Sequence, residues 1–330
     1  MVKPKILITG ISGFIGYELA ERCIREGYEV AGLIRQHPQH NDAVMKLKGR
    51  VKLYEGSLTD YARLVNVVTD FYPDYVAHLG AITPVSYSFD HPFEVTETNY
   101  VGTVKITEAL KRYCPDLKKF IFASSMETYG HQPELHKTFT PFDEDTPQMG
   151  ACPYACAKIG AEKYVKYLAY AYKFPGISLR QTNTYGRKFD SYFVVEAFIE
   201  QMLKNKEVAN FGQPTPVRNF IHIDDLVNLY ITLFNSSPKL HGESFTIGPP
   251  NGITMKVLSD IIAKKLDWHG KINWYTREIR DGEIYYLNST NKKISLLTNW
   301  EPKTTLSKGL DKTIQYWKEK LCIDQPNIRL

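Results

Sequence analysis

The stretch Lys5-Ile6-Leu7-Ile8-Thr9-Gly10-Ile11-Ser12-Gly13-Phe14-Ile15-Gly16 decides the fold. A short apolar run ends in three glycines that are separated by two residues each, and a helical pattern begins directly behind them. The first glycine permits a tight turn, the second lets a pyrophosphate approach the backbone, and the third lets the helix pack closely on the strand. The stretch therefore predicts a dinucleotide site at a helix N-terminus. Its predicted cofactor-binding residues are Gly10, Gly13, Phe14, Ile15 and Gly16.

The whole chain has the size and composition of an ordinary globular α/β protein. Its 330 residues can form one large domain and a smaller lobe, and 43% of them are hydrophobic. The net charge of +5 comes without a dense Lys/Arg run, so we expect neither nucleic-acid nor membrane binding. A mild basic bias instead suits an anionic small substrate. With no signal segment before the first strand and no long apolar run, we expect a cytoplasmic protein.

The cysteines predict neither a disulfide framework nor a metal site. They are odd in number and scattered along the chain. Cys152 and Cys156 are close together, but no second Cys/His pair at zinc spacing accompanies them. The sequence thus predicts reduced thiols and no bound metal.

Strand and helix patterns alternate through the first half of the chain. After the glycine turn, strands are expected at residues 29–34, 51–54, 75–79, 119–123 and 177–180, and helices at 99–112 and 154–173. This alternation predicts a Rossmann-type, doubly wound parallel sheet with ligands beyond the carboxyl ends of its strands. The pattern changes after Gly186, which predicts a smaller α/β lobe that binds the substrate. We expect residues 1–178, with a return at about 213–240, to form the dinucleotide domain, and 179–330 to form most of the other lobe.

The residue after the second strand bears on the choice of dinucleotide. A dinucleotide fold commonly has an acid there for the adenosine ribose, whereas this chain has Arg35. An arginine pairs with a ribose 2′-phosphate through charge-assisted hydrogen bonds, so the sequence favours NADP over NAD. The alternative is that Arg35 lies on the surface and other groups hold NAD. Ser57 and Leu58, which follow the third strand, are predicted to frame the adenine.

Tyr154 and Lys158 form the decisive catalytic pair. Pro153 suits the first turn of a helix, and a spacing of four places both side chains on one face. A tyrosine acts as a base near neutrality only if its pKa falls by ~3 units. A lysine cation at ~4 Å, at an effective dielectric constant of ~20, would stabilise the tyrosinate enough to lower the tyrosine pKa by about that amount.

The residues after the fifth strand add a hydroxyl and a carboxylate to this pair. Ser125 leaves the carboxyl end of that strand, and a hydroxyl there can hydrogen-bond a reacting alcohol or carbonyl. Glu127 can move protons, although a solvated turn residue is the alternative interpretation.

Seven motifs together resemble the extended short-chain dehydrogenase/reductases, and more narrowly their nucleotide-sugar epimerases and dehydratases. They lie in order along nearly the whole chain: Thr9-Gly-x-x-Gly-x-x-Gly16, His78-Leu79-Gly80-Ala81, Thr98-Asn99, Ser124-Ser125-x-x-x-Tyr129-Gly130, Tyr154-x-x-x-Lys158, Asn183-x-Tyr185-Gly186 and Arg218-Asn219-Phe220.

The resemblance implies roles for individual residues. Tyr154 would be the base, Lys158 its partner and ribose anchor, and Ser125 the hydroxyl donor. Further cofactor contacts are implied for Leu79, Ala81 and Asn99. Substrate contacts are implied for Thr83, Ser86 and Asn183, and for Arg218 with Arg280 at the diphosphate of a nucleotide sugar. A homodimer is expected by the same resemblance, and because helices 99–112 and 154–173 carry more apolar surface than one sheet face can bury.

The segment Ser125-Met126-Glu127 bears on the reaction. It resembles sugar 4,6-dehydratases, in which a hydroxyl residue and a variable or acidic residue precede Glu, whereas simple 4-epimerases usually lack that Glu. In having Arg35, the chain also resembles the GDP-mannose 4,6-dehydratases, which use NADP. Two residues depart from the pattern: Met126 cannot donate a proton, and Arg187 replaces a usual proline. We therefore expect a 4,6-dehydratase. The alternatives are a 4-epimerase, a UDP-glucuronate decarboxylase-like enzyme and a catalytically silent member, and the nucleotide and sugar stay open.

Overall fold

The large sheet is built from seven parallel strands in the computed structural model, which describes residues 3–35, 41–279 and 282–323. The strands of the protein are β1 (Lys5–Thr9), β2 (Glu29–Ile34), β3 (Lys52–Glu55), β4 (Tyr75–His78), β5 (Lys119–Ser125), β6 (Gly176–Gln181), β7 (Asn183–Tyr185), β8 (Val208–Asn210), β9 (Val217–Arg218), β10 (Phe220–His222), β11 (Ser244–Ile247), β12 (Ile253–Thr254), β13 (Lys271–Asn273) and β14 (Tyr286–Leu287).

Helices cover both faces of this sheet and form most of the smaller lobe. They are α1 (Phe14–Arg25), α2 (Asp42–Leu47), α3 (Tyr61–Phe71), α4 (Val85–Asp90), α5 (Pro92–Thr96), α6 (Gly102–Tyr113), α7 (Pro133–Thr138), α8 (Pro153–Tyr172), α9 (Val194–Lys204), α10 (Ile223–Phe234), α11 (Met255–Leu266), α12 (Lys292–Thr298) and α13 (Leu306–Ile323). A π-helical turn, Glu97–Val101, joins α5 to α6, and a 3-10 turn, Met126–Tyr129, follows β5.

The strand order of the large sheet is β11-β6-β5-β4-β1-β2-β3. The chain builds outward from β1 through β2 to β3 and then crosses to β4 on the other side of β1. Helices α1 and α10 pack on one face, and α3, α6 and α8 pack on the other. The predicted doubly wound Rossmann-type sheet is confirmed. Its topological switch point lies between β1 and β4, where ligands of such sheets bind.

The smaller lobe has a core of its own, formed mainly by α9, α11 and α13. Short strands complete it, as the sheet β12-β9-β14 and the pair β13-β8. The chain returns to the large sheet through α10, which lies within the predicted return, and β11, which lies beyond it. Strand β11 pairs in parallel with β6 from Ser244 to Ile247. The assignment of cofactor to one lobe and substrate to the other stays a prediction.

Two global properties follow from the described residues. In that part of the chain, no helix is both long enough and apolar enough to cross a membrane. All five cysteines have free thiols, with Cys23, Cys114 and Cys152 buried.

Candidate active site

One cleft with a volume of about 1300 Å³ brings the predicted residues together at the carboxyl ends of β1, β4 and β5. Drug-sized ligands occupy roughly 300 to 1000 Å³, so a cleft of this volume can hold two such ligands side by side. The predicted residues that line it are Gly10, Gly13, Phe14, Ile15, Gly16, Arg35, Ser57, Leu58, Leu79, Ala81, Thr83, Ser86, Ser125, Glu127, Tyr154, Lys158, Asn183 and Arg218. Arg280 lies outside the described residues.

The glycine turn connects β1 to α1 at the end of this cleft. Gly10 has φ +71, and a Cβ atom there would come within 2.8 Å of the Gly80 backbone. A Cβ atom on Gly16 would overlap the carbonyl oxygen of Gly10, so only glycine lets the helix approach the strand this closely. Helix α1 has no side-chain cap and no acidic residue in its first turn. Its first N–H groups are therefore available to an anion.

Arg35 and the loop after β3 lie at the adenosine end expected for a dinucleotide. Arg35 is exposed and lines the cleft. The Ser57 and Thr59 hydroxyls are 2.8 Å apart, and Leu58 is buried against Gly102. Glu94 lines the same region, so this end of the cleft also holds a carboxylate. Both the NADP and the NAD interpretations therefore have a group to support them.

Asn99 lies behind the lining of the cleft, bonded to the backbone of Ile82, and its expected contact with the cofactor stays a prediction. Its Oδ1 accepts from the Ile82 N–H at 2.8 Å, and its Nδ2 donates to the Ile82 carbonyl at 2.9 Å. Asn99 is buried inside the π-helical turn, where its side chain reaches the segment after β4. It therefore positions Ile82, which does line the cleft.

His78 joins the same backing network. Its ring nitrogens lie 2.7 Å from Thr9 Oγ1 and 2.9 Å from Thr103 Oγ1. Burial, together with the Lys158 charge, lowers the pKa of His78 to about 3, so this imidazole is neutral at pH 7. The network fixes β1, β4 and α6 relative to one another behind the cleft.

Ser125 faces the cleft because its neighbour Ser124 is turned away from the catalytic pair. The Ser124 hydroxyl donates to Glu162 Oε2 at 2.7 Å. Glu162 in turn forms a buried ion pair with Arg180 at 2.7 Å. Ser125 instead lies beside Tyr154, whose ring is 7% exposed, and the Ser125 hydroxyl oxygen accepts from the Glu127 N–H at 3.2 Å. The hydroxyl of residue 125 therefore lies next to the predicted base.

The electrostatics of Tyr154 and Lys158 differ from the sequence expectation. Burial raises the pKa of Tyr154 above its usual range, and the nearby Ser125 hydroxyl offsets only part of this rise. The Lys158 ammonium donates to the Ala123 carbonyl at 2.7 Å and lies 5.8 Å from the centre of the Tyr154 ring. Burial lowers the pKa of Lys158 to about 7, so at neutral pH it carries only part of a charge. The expected lowering of the tyrosine pKa is therefore wrong for the polypeptide by itself.

The lowered pKa of Lys158 predicts a pH-dependent stability. The unfolded lysine keeps its proton up to about pH 10.4, whereas the folded one loses it near pH 7. Between these values the unfolded state binds more protons, so stability increases as pH rises. From pH 6 to pH 9 the wild type should gain about 3 kcal/mol relative to Lys158→Met. Urea unfolding of nucleotide-stripped protein measures this difference, with the exposed Lys204→Met as the control. A wild type and Lys158→Met that keep a constant difference across this range would contradict the prediction.

Glu127 and Arg218 meet in the part of the cleft next to Ser125. Both side chains also line a small adjoining cavity together with Cys152 and Glu283. The Arg218 guanidinium donates to the Ile284 carbonyl at 2.7 Å and lies 3.8 Å from Glu283. Asn183 donates to the Asn219 carbonyl at 3.5 Å and faces the cleft from β7. Met126 has no titratable group to contribute, and its side chain is 2% exposed and packs in a neighbouring apolar cluster.

Sequence reasoning missed several residues of the cleft that come from the smaller lobe. Tyr192 reaches across the cleft, and its hydroxyl lies 2.7 Å from that of Ser86. Thr83 and Ser86 are exposed on the opposite rim. Other cleft residues without a sequence prediction include Lys188, Phe193, Glu196, Phe211 and Arg277. The available signal was a lysine and a glutamate eight residues apart, Lys188 and Glu196, but this spacing matches no motif.

A nicotinamide dinucleotide fits the groups present. The uncapped start of α1, the glycines that let a ligand approach the backbone, and the size of the cleft all suit it. No group of three His, Cys, Asp or Glu side chains that could hold a metal ion occurs among the described residues.

A Rossmann fold with a tyrosine, a lysine and a hydroxyl residue in one cleft defines a class of dinucleotide-dependent enzymes. Residues 7–313 match the family described as GDP-mannose 4,6 dehydratase, and the chain belongs to this family. It is therefore an enzyme of the nucleotide-sugar epimerase and dehydratase group of extended short-chain dehydrogenase/reductases, as the motifs predict.

Some similar proteins are sugar-nucleotide 4,6-dehydratases, and others are 4-epimerases. The chain is 27% identical to human dTDP-D-glucose 4,6-dehydratase, over 96% of this chain and 90% of that protein. A UDP-glucose 4-epimerase of Thermotoga maritima, solved with UDP-glucose, is 29% identical, with a TM-score of 0.87 over 96% of this chain and 99% of that one. The UDP-glucose 4-epimerase of Thermus thermophilus, solved with NAD, is 24% identical, with a TM-score of 0.85 over 95% and 99% of the two chains, a likeness that shows the fold alone.

Proposed function

We propose that this protein is a nucleotide-sugar 4,6-dehydratase that uses a bound nicotinamide dinucleotide. The observation that carries the proposal is the position of Glu127, which lines the cleft together with Ser125 and Tyr154 and lies close enough for its charge to act on the Tyr154 hydroxyl. Dehydration needs a base for the C5 hydrogen in addition to the base that acts on the 4-hydroxyl. The cleft provides a separate residue for each.

The reaction divides among the residues as follows. A bound nicotinamide supplies the oxidant for sugar C4 and the hydride that returns to C6. Tyr154, with Ser125 beside it, would take the proton of the 4-hydroxyl. The resulting ketone acidifies the C5 hydrogen, which Glu127 removes. Because Met126 has no proton to give, Glu127 would pass the C5 proton to the 6-hydroxyl, which leaves as water, and a proton from solvent would replace it at C5.

Lys158 and Arg218 serve binding in this proposal. The Lys158 ammonium, held by the Ala123 carbonyl, lies near the ring of Tyr154 and would anchor the nicotinamide ribose. Arg218 donates to two backbone carbonyls, at 2.9 and 2.7 Å, and its guanidinium charge would hold the diphosphate of the sugar nucleotide.

A nucleotide-sugar 4-epimerase is the second candidate. The likeness to the Thermotoga 4-epimerase, which extends over 96% of this chain, favours it. In this reaction the 4-keto sugar would rotate in the cleft and receive the hydride on its other face. Tyr154 and Ser125 would then suffice for the proton transfers. Glu127 would then have no proton to move.

A panel of GDP-, UDP-, dTDP- and CDP-sugars tests the proposal directly. Incubation with the correct substrate should produce a product lighter by one water, detected by mass spectrometry. A product of unchanged mass and altered configuration would identify the epimerase. Turnover of none of the sugars by protein that retains nicotinamide would instead support a catalytically silent member.

We further propose NADP as the cofactor, because of Arg35 at the adenosine end. Arg35→Ala should weaken NADP by about tenfold or more, the value of a lost charge-assisted hydrogen bond, and leave NAD nearly unchanged. Binding of NADPH and NADH, followed by fluorescence, measures both constants. Equal losses for the two cofactors would show that Arg35 does not contact the 2′-phosphate.

We also propose a homodimer formed by α6 and α8. Tyr170 is 92% exposed on α8, with Tyr167 and Tyr172 also exposed beside it. Aromatic side chains in such a group favour burial against a partner. Solution scattering should give the mass of a dimer, and Tyr170→Glu should shift the mass toward that of a monomer. A concentration-independent monomer of the unaltered protein would contradict this proposal.

A further inference from the structure

The segment between β7 and α9 places a lysine in the wall of the cleft. Lys188 is 6% exposed and lines the cleft with Phe14 and Phe193. Its ammonium nitrogen lies 5.3 Å from the centre of the Phe14 ring and 4.3 Å from that of Phe193. Because Phe14 is the first residue of α1, this cation lies close to the start of the helix that follows the glycine turn.

One carboxylate holds this ammonium in place. Nζ of Lys188 donates to Glu196 Oε2 at 2.9 Å, and the Gly186 N–H donates to Glu196 Oε1 at 3.1 Å. An ammonium has three N–H donors. Among the residues that the structure describes, the bond to Glu196 is the single hydrogen bond of this ammonium. Phe14 and Phe193 offer only ring faces, and Asp190 acts on this ammonium through its charge without a hydrogen bond among the described residues, so the cleft is the side from which a further oxygen acceptor would enter.

The segment that carries Lys188 is attached firmly to α1. Arg187 donates to both carboxylate oxygens of Glu18, at 3.0 and 2.7 Å, and to Asp224 at 2.8 Å. The Phe189 ring packs 5.2 Å from that of Tyr17. These contacts flank Lys188 on both sides in sequence, so its position relative to the helix start is fixed.

The ion pair with Glu196 compensates only part of the cost of a cation in this position. Burial of a charge is costly, and a positive charge near a helix N-terminus opposes the helix dipole. Burial lowers the pKa of Lys188 even with Glu196 beside it. A phosphate oxygen between the ammonium and the helix N–H groups would relieve both effects.

We propose that Lys188 binds the pyrophosphate of the nicotinamide dinucleotide from the side opposite the glycine turn, and that Glu196 positions its ammonium. This inference rests on the proposed function, since the dinucleotide is part of it. It separates the two diphosphates of the cleft: Lys188 serves the cofactor and Arg218 the sugar nucleotide.

Binding of two ligands tests the assignment. The reduced dinucleotide, NADH or NADPH, is followed by its fluorescence, and ADP-ribose, which keeps the pyrophosphate without the nicotinamide, by competition. Lys188→Met should raise both dissociation constants by about tenfold to a hundredfold, and Lys188→Arg by much less. Lys204→Met is the matched control, since it removes a 2.9 Å ion pair with Glu200 from the same helix.

The single variant leaves Glu196 buried without its partner, so Lys188→Met/Glu196→Gln, which removes both charges, is measured beside it. Weaker binding of both ligands by this double variant supports the assignment. UDP, the nucleotide part of a candidate sugar nucleotide, is measured as a third ligand. Weaker binding of the dinucleotide alone would overturn the pyrophosphate assignment in favour of a nicotinamide contact. Weaker binding of UDP alone would overturn it in favour of a contact with the sugar nucleotide. If the unaltered protein binds both ligands and the variants match it, this inference alone fails. If the unaltered protein binds neither ligand, the cofactor proposal fails with it.

Discussion

Tyr154→Phe should lower turnover by about a hundredfold to ten-thousandfold, the range expected when a positioned acid–base group is lost. The substitution removes the phenolic oxygen, which lies near Ser125, and leaves the buried ring in place. Binding of dinucleotide and sugar nucleotide should therefore change little, so the loss should appear in kcat with KM nearly constant.

A matched control lies on the same helix. The Tyr164 hydroxyl donates to Glu108 at 2.7 Å on the side of α8 that packs against α6, away from the cleft. Tyr164→Phe should keep turnover within a few-fold of the wild type. Steady-state kinetics with the sugar identified by the panel compares the two variants. Equal turnover in Tyr154→Phe and the wild type would remove Tyr154 from its assigned role.

The sequence predicts the large sheet well because its strands are buried on both faces. Such strands appear as continuous apolar runs, and the prediction for 29–34 coincides with β2. Helix α3 was not predicted, although its signal is present. Asp60 caps it by accepting from the Arg63 N–H at 3.0 Å, and Leu64 and Phe71 lie on its buried face. The sequence prediction treats the loop after β3 only as an adenine contact and therefore misses this helix start.

The predictable part of the site is the part carried by short motifs on the large sheet. Gly10, Ser125 and Lys158 follow strands or lie on a helix whose position the sheet determines. Asn99 shows the limit of this reasoning. The expected helix began at Asn99, whereas in the structure a π-helical turn contains this residue and directs its side chain to the Ile82 backbone. No sequence periodicity distinguishes that turn from regular helix.

Residues from the smaller lobe were harder to predict, since their place depends on how two cores pack together. Lys188 and Tyr192 reach the cleft because the segment before α9 attaches to α1 through Arg187. The sequence marks Arg187 only as a departure from a family proline. Its ion pairs with Glu18 and Asp224 give that departure a structural reason, because they tie α1 to α10.

Glu127→Gln separates the two leading functions. In a dehydratase, Glu127 acts only after C4 has been oxidised, so the variant should still reduce its bound cofactor when substrate is added. The glutamine keeps the size of the side chain and one acceptor oxygen but cannot accept the C5 proton. Release of water should therefore fall by about a hundredfold or more. Cofactor reduction, followed by absorbance, should persist, since Tyr154 and Lys158 are intact.

In an epimerase the same substitution should leave product formation within a few-fold of the wild type, because no C5 proton moves. Glu134→Gln is the control: it removes an exposed carboxylate, 2.7 Å from Lys137, that lies outside the cleft. In heavy water, the wild-type dehydratase should place deuterium at C5 of its product, and Glu127→Gln should stop this exchange. An epimerised product without deuterium at C5 from the wild type would overturn the dehydratase. The role of Glu127 as the second base would fall with it, and Tyr154 and Ser125 would remain as the proton-transfer groups of a 4-epimerase.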